Sequence, residues 1–145
     1  MRVTTPQLST EWAAYYQLRY LVLRQPWQQP PGSERAPDDD APGTVHAVAL
    51  ADDGSVIGVG RLHAATATQA QVRFMAVHPA WQGKGVGGVV LTYLEKEARQ
   101  RGLTECVLQA RAAAVPFYER AGYVVVVPSH MLFGSVPHFL MRKEL

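Results

Sequence analysis

The residues with the clearest chemical potential lie near the middle of the 145-residue chain, in the run Gln82-Gly83-Lys84-Gly85-Val86-Gly87-Gly88. A strand-like segment precedes this run and a helix-like one follows it. Backbone N–H groups free of bulky side chains can therefore converge on one anion at a helix N-terminus, where the unpaired amides and the helix dipole both favour negative charge. A phosphate or pyrophosphate is the natural guest. Single glycines often serve only the close packing of a helix on a sheet, but four within six residues at a helix start point to more than packing.

Two nucleotide readings of this run fail on spacing. Gly83, Gly85 and Gly88 satisfy G-x-G-x-x-G, but that pattern needs the glycines directly after the first strand of a β-α-β unit and an acidic residue about 20 positions on. Here His78 to Gln82 intervene, and the acidic position falls near Leu108 in an apolar run with only Glu105 close by. A P-loop requires Ser or Thr after its lysine, whereas Lys84 is followed by Gly85. A redox or nucleotide enzyme built on these glycines would bind NAD or ATP.

The elements that must position the turn follow from periodicity. Ser9 to Arg24 carries Trp12, Ala13, Tyr16, Tyr20, Leu21 and Leu23 mostly at helical intervals, with Ser9 or Thr10 as N-cap. Gln25 to Thr44 holds five prolines and the run Asp38-Asp39-Asp40, which predicts a long loop of the kind that serves binding. Val45 to Leu50 and Ser55 to Ala64 read as a hairpin turned at Asp53-Gly54. Gln71 to Val77 reads as a strand with Val72, Phe74 and Ala76 on one face. A helix of about four turns runs from Val86 to Arg101 and stops at Gly102. Thr104 to Ala110 is a strand, Ala112 to Ala121 a short helix, Tyr123 to Val127 a strand, and His138 to Lys143 a closing strand. The order predicts an α/β sandwich on one mixed sheet.

At this point the residues resemble a family. Gln82-Gly83-Lys84-Gly85-Val86-Gly87 is similar to the Q/R-x-x-G-x-G/A acetyl-CoA motif of the GCN5-related N-acetyltransferases (GNAT). Phe74-Met75-Ala76-Val77-His78-Pro79 resembles that family's fourth strand, and Pro116-Phe117-Tyr118-Glu119-Arg120-Ala121-Gly122-Tyr123 its late F-Y-E-x-x-G-F segment. Leu18-Arg19, Gln25, Gln109-Ala110 and Pro137-His138 look like the ElaA-type branch, although that branch commonly carries Glu-Gln where this chain has Arg24-Gln25. The resemblance implies one N-acetyltransferase domain over residues 1–145, with a mostly antiparallel central sheet flanked by helices in an α/β/α sandwich.

It also implies a site. The backbone of Met75, Ala76 and Val77 would pair with the pantetheine arm as an added strand does. Gln82, Gly83, Lys84, Gly85, Val86, Gly87 and Gly88 would hold the pyrophosphate, with Phe117 and Tyr118 beside the cofactor. Lys84, then Arg111 and Arg120, are candidates for added charge near the phosphates. Attack of an amine on the thioester makes an oxyanion and expels a thiolate, a step eased by a proton donor; Tyr118 matches the family's acid. The amine must arrive neutral, and the base candidates are His138, His63, His78 and Glu34. Among them His138 stands first as a catalytic residue, Gln109 and His138 would form a polar acceptor pocket, and Glu34 would border it. Glu34 and Asp38 to Asp40 either attract a cationic amine or form a solvated loop, the plainer reading.

Acetyl-CoA is thus the expected co-substrate, a primary amine of a small molecule or peptide the expected acceptor, and no metal is implied. A non-catalytic acyl-CoA-binding or sensor protein is the alternative. The net charge of +2 is small and scattered, which argues against nucleic acid. No apolar run approaches a membrane span, and the N-terminus lacks a signal-peptide core. The one cysteine, Cys106, lies in an apolar run and reads as a buried small hydrophobe in a reducing compartment. A cytoplasmic monomer or homodimer is expected.

Overall fold

The computed structural model describes residues 1–145. Seven strands form one sheet: β1 (Arg2–Thr4), β2 (Val45–Leu50), β3 (Val56–Ala64), β4 (Gln69–Val77), β5 (Glu105–Arg111), β6 (Val124–Leu132) and β7 (Val136–Glu144). Their order across the sheet is β1-β2-β3-β4-β5-β7-β6. Only β4 and β5 are parallel; every other neighbouring pair is antiparallel. Three helices, α1 (Ser9–Leu23), α2 (Val86–Gln100) and α3 (Val115–Arg120), cover the two faces. The expected mixed, mostly antiparallel sheet between helical layers is the observed one, and no helix is long and apolar enough to cross a membrane.

Alternation along the strands assigns the faces. Val45, Ala47 and Ala49 of β2 join a core of 19 buried residues beneath α2 and α3, while Val48 and Leu50 join a core of only 7 beneath α1. The thinner apolar layer under α1 leaves room for a polar network, described below. Against the other face α2 lies close: a Cβ on Gly60 would stand 2.6 Å from the Met75 sulfur and 2.9 Å from both Leu94 and Val90. The glycines of β3 thus set how near the helix carrying the glycine turn can come.

Four details depart from the sequence reading. The strand β1 has three residues, too few to show a period, and gains its ladder from Val48 to Leu50. In α1 the buried stripe is Tyr15, Leu18, Arg19 and Val22, an i, i+3, i+4, i+7 set, whereas Ala13 and Leu21 face solvent; a buried arginine hides the true face from a hydrophobicity count. The helix starts at Ser9 with Glu11 Oε1 accepting the N–H groups of Gln7 and Leu8 at 2.8 and 3.0 Å, in place of a Ser9 or Thr10 cap. The strand β6 runs through Pro128 to Leu132, well past Val127, because it lies at the sheet edge where a missing N–H breaks no ladder.

A fifth departure shapes the site. Val59 pairs with Ala76 but Arg61 with Arg73, so β4 carries one extra residue, a β-bulge, and Phe74 sits in left-handed backbone with φ 58°. Val72 consequently points into the α2 core and Ala76 into the α1 core. The expectation of Val72, Phe74 and Ala76 on one face fails because the bulge reverses the alternation.

Candidate active site

Bulges raise local twist, and here β4 and β5 diverge. Their ladder covers only Gln69↔Glu105 to Val72↔Leu108. Beyond it, the edge of β4 from Arg73 to Val77 has no strand beside it, and a cleft of about 860 Å3 opens between the strands, lined from both faces of the sheet. Residues of α1 and of α3 therefore meet in one space.

At one end of the cleft stands the glycine turn. None of the backbone N–H groups from Gln82 to Gly88 meets a backbone acceptor, and Gly83 and Gly85 adopt φ 76° and 84°, a conformation that presents amides outward and that glycine alone takes without strain. The two sequence readings of these glycines separate cleanly. A Cβ on Gly87 would meet the Phe117 ring at 3.1 Å, so this glycine serves packing, while Gly83, Gly85 and Gly88 have nothing within 4 Å and leave the cradle open. Gln82 donates to Val77 O and ties the turn to β4. Arg120 lines the same end. Lys84 lies outside the cleft wall, its Nζ 5.3 Å from the Trp81 ring centroid.

In the middle of the cleft stand Tyr118 and His138, from opposite faces of the sheet. Tyr118 is 7 % exposed, its ring edge-on to Phe117 and Tyr123 at 4.9 and 5.9 Å. Burial pushes its pKa upward, so the phenol keeps its proton at neutral pH. His138, on β7 opposite Arg111, stacks on His130 at 4.5 Å. Its Nδ1 lies 3.0 Å from Val136 O; a carbonyl only accepts, so Nδ1 carries the proton and Nε2 holds a free lone pair. Burial above all, then His130 and Arg111, outweigh the Val136 hydrogen bond and hold the imidazole below its ordinary 6.5.

The far end is framed by Arg24, Trp27, Arg73, Phe74, Arg111 and Phe133. Trp27 and Phe133 approach to 6.1 Å, and the Arg111 guanidinium lies 5.7 Å from the Trp27 ring. Phe133 has φ 53° and Gly134 φ 71° in the β6–β7 turn. The two aromatic residues held in left-handed backbone, Phe74 and Phe133, thus both line the cleft, and such strain persists where the surroundings over-determine it.

Several expected site residues lie elsewhere. Gln109 lines the cleft, diagonal to His138 across the β5–β7 ladder. Glu34 does not: its Oε1 accepts from Gly32 N at 2.7 Å and its carbonyl from Arg19. His63 Nδ1 faces Arg61 at 3.2 Å, and His78 Nδ1 accepts from Ala80 N to start the short helical turn Pro79–Trp81. Arg111 belongs to the aromatic end and not the glycine end.

The acidic run is not simply a solvated loop: Asp40 is exposed, but Asp38 pairs with Arg61 and Asp39 is buried. Asp39 is 6 % exposed and accepts from Arg19 at 2.8 Å, Arg61 at 2.9 Å, Ala36 N at 3.0 Å and Tyr16 at 3.1 Å. His46 Nε2 donates to Asp39 O at 2.8 Å, and His46 Nδ1 accepts from Tyr15, whose hydroxyl accepts in turn from Arg19. The Arg19 guanidinium also lies 3.9 Å from the Phe74 ring centroid. This network bolts the proline-rich loop, and Trp27 with it, beside the bulge of β4.

Comparison with known proteins agrees with this geometry. The model described as "Acetyltransferase (GNAT) family" matches residues 11–123. The chain belongs to the GNAT family. The uncharacterized N-acetyltransferase YjcF of Bacillus subtilis (strain 168) is 40% identical over 60 residues, 41% of this chain and 43% of that protein; the chain thus matches less than half the length of this relative. An aminoglycoside 6'-N-acetyltransferase crystallised with coenzyme A superposes with a TM-score of 0.84 at 16% identity, over 99% of this chain and 97% of that one. Escherichia coli ElaA superposes with a TM-score of 0.79 at 20% identity over the same shares. Both structural likenesses show the fold.

For this GNAT chain, sequence reasoning missed Trp27, Arg73 and Phe133 as cleft residues. Trp27 follows Gln25-Pro26 at the end of a helix, a signal for a turn and nothing more, and Phe133 reaches the cleft only because β6 extends beyond the expected strand. Missed too was the cluster that braces the glycine helix: Glu95 of α2 is buried and accepts from Tyr123 at 2.9 Å and from Lys143 at 3.1 Å. Cys106 is buried as expected, and burial pushes its thiol up to about 11, which removes it as a nucleophile.

Proposed function

We propose that the chain moves an acetyl group from acetyl-CoA to a primary amine of a small molecule or peptide, by direct attack with both partners bound. The observation that carries this reading is the splayed cleft, which joins an anion cradle of free amides, an unpaired β-edge and a buried protonated phenol in one line. Acetyl-CoA fits that line: pyrophosphate on Gln82 to Gly88, pantetheine along Met75 to Val77, with Phe117 beside it and Arg120 adding charge. Acetyl-CoA supplies an activated thioester. Tyr118 holds the proton that the departing sulfur takes up, and His138 Nε2 receives the proton that the attacking nitrogen sheds.

Binding is tested first by calorimetric titration with acetyl-CoA, paired with Gly88→Glu. Gly85 would be a poor choice, since its φ of 84° strains any other residue. Gly88 has helical backbone and open space, and a carboxylate in the first turn even favours the helix. The expected result is tight binding by the parent and a loss of at least about tenfold in the folded variant, as a carboxylate displaces the anion from the cradle. Absence of binding by the parent would sink the reading.

The role of His138 predicts a pH profile. Because its folded pKa lies below 6.5, kcat/KM expressed per free-base amine should be flat at neutral pH and fall on acidification with a midpoint below 6.5, as Nε2 becomes protonated. His138→Gln should lower the plateau by about 10²-fold and abolish that acidic limb. An unchanged limb in the variant would assign it to another group.

A non-catalytic acyl-CoA-binding protein is the second reading, favoured by the lack of any carboxylate in the cleft wall. It predicts acetyl-CoA binding with no thiol release in the presence of any amine.

A further inference from the structure

The charge of the cleft wall carries information about the acceptor. The wall contains no aspartate or glutamate, yet it holds Arg24, Arg73 and Arg111 at the end away from the glycine turn. None of the three forms an ion pair, although Arg19 and Arg61, close by, pair with Asp38 and Asp39. Arg24 spends Nε and one other nitrogen on the carbonyls of Ser33 and Leu23. Arg73 and Arg111 make no side-chain hydrogen bond and keep all their donors. Aromatic faces hold these guanidiniums in place: Arg73 and Arg24 lie 4.7 and 5.7 Å from the Phe74 centroid, Arg24 5.5 Å from Phe133, and Arg111 5.7 Å from Trp27.

Like charges gathered without counter-ions repel, and folding tolerates the arrangement only where other contacts hold it. Burial first, then neighbouring guanidiniums, lower the pKa of both Arg24 and the partly solvent-exposed Arg73, and Glu34 for the first and Asp38 and Asp39 for the second offset this only in part. A cationic acceptor such as a polyamine would add to that repulsion. An anion would relieve it, through charge-assisted and bidentate hydrogen bonds from planar guanidiniums.

Resting on the acetyltransferase reading, we infer that the acceptor is an amine whose body carries an anionic group, a carboxylate or phosphate, bound by Arg73 and Arg111 at the aromatic end of the cleft. The amino group then points toward His138 and the thioester. The same positive field lowers the pKa of the bound ammonium and so favours the neutral nucleophile. Trp27, Phe74 and Phe133 receive the apolar part of the molecule.

The test uses matched acceptors with acetyl-CoA and a colorimetric readout of released thiol. Phenylalanine is compared with phenylalaninamide, phosphoethanolamine with ethanolamine, and spermidine serves as the polycation. The expected result is a kcat/KM at least about tenfold higher for an anionic member than for its neutral partner, through KM, with spermidine poorest. The two pairs distinguish carboxylate from phosphate. In Arg73→Gln and Arg111→Gln the ratio should narrow to about threefold or less, and the acetyl-CoA isotherm of each variant reports that it is folded. A preference for spermidine or for the neutral partners, or a ratio unmoved by both variants, would overturn the inference. If acetyl-CoA binds but no amine is turned over, the transfer reading fails on its own. N-acetylphenylalanine and N-acetylphenylalaninamide titrated into the CoA-loaded protein then decide the charge preference, since only the first should bind, and equal binding of the two would refute it.

Discussion

Asp39→Ala is expected to destabilise the fold by about 3–5 kcal/mol, the range for leaving a buried charge without its partner. Two guanidiniums, on Arg19 and Arg61, are fully buried and already have one Nε each without a hydrogen-bond partner. Removing the carboxylate deprives both of their shared counter-ion and also frees Ala36 N and the Tyr16 hydroxyl. Asp38→Ala is the control: that side chain is 44% exposed and also bonds Arg61, yet Asp39 would remain, so a loss of only about 1 kcal/mol is expected. Urea unfolding followed by tryptophan fluorescence separates the two, and equal effects would show that Asp39 is not the keystone. In thermal unfolding the Asp39 variant should melt about 10 °C lower.

The same network sets the response to acid. Burial raises the Asp39 pKa, but the hydrogen bonds from Ala36 N, Arg61 and Arg19 outweigh it and bring it down from 3.8 to about 2. A carboxylate with a depressed folded pKa contributes stability that is complete above 3.8 and disappears as the pH falls through about 2. His46, mainly because of burial, is held below 6.5; the unfolded chain takes up its proton first, so stability begins to decline below about pH 6.5. Wild-type stability should therefore fall in two stages on acidification, and Asp39→Ala should lose the lower stage.

Tyr118→Phe should reduce kcat by about 10² to 10⁴, the usual contribution of a positioned proton donor, while the Kd for acetyl-CoA changes by less than about twofold. The substitution removes one oxygen and keeps the ring between Phe117 and Tyr123, so packing is preserved. The phenol, raised by burial, is protonated across the neutral range; its loss should lower the pH plateau without moving the acidic limb assigned to His138. Stopped-flow measurement of thiol release at saturating acetyl-CoA checks the first claim and calorimetry the second. A kcat retained within threefold would remove Tyr118 from the mechanism.

The glycine turn was legible because its signal is local. Four glycines between a strand and a helix dictate backbone freedom and amide exposure whatever surrounds them, and the residues on either side name the family by resemblance. The helices α2 and α3, the β2–β3 hairpin and the place of Tyr118 follow from short-range period and turn chemistry in the same way. The aromatic end of the cleft was not legible, since it is assembled from the end of α1, a short helical turn, the bulge of β4, the end of β5 and the β6–β7 turn. Glu34 was a reasonable candidate by composition and loop position, but its carboxylate is consumed by its own loop.

By itself, then, the amino-acid sequence determined the order of most elements, the glycine turn with its free amides and the family, all of which rest on residues within a few positions of one another. Tertiary structure alone decided three things. One is the extra residue in β4, which reverses the alternation at Phe74 and parts β4 from β5. Another is the burial of Asp39 between Arg19 and Arg61, which turns an acidic loop into a structural bolt. The last is the charge at the aromatic end of the cleft, where Arg73 and Arg111 form no ion pair while Asp38 and Asp39 pair with Arg19 and Arg61. The bulge is set by pairs 12 and 17 positions apart and the bolt by pairs 20 and 22 apart, and such contacts leave no period or spacing along the chain.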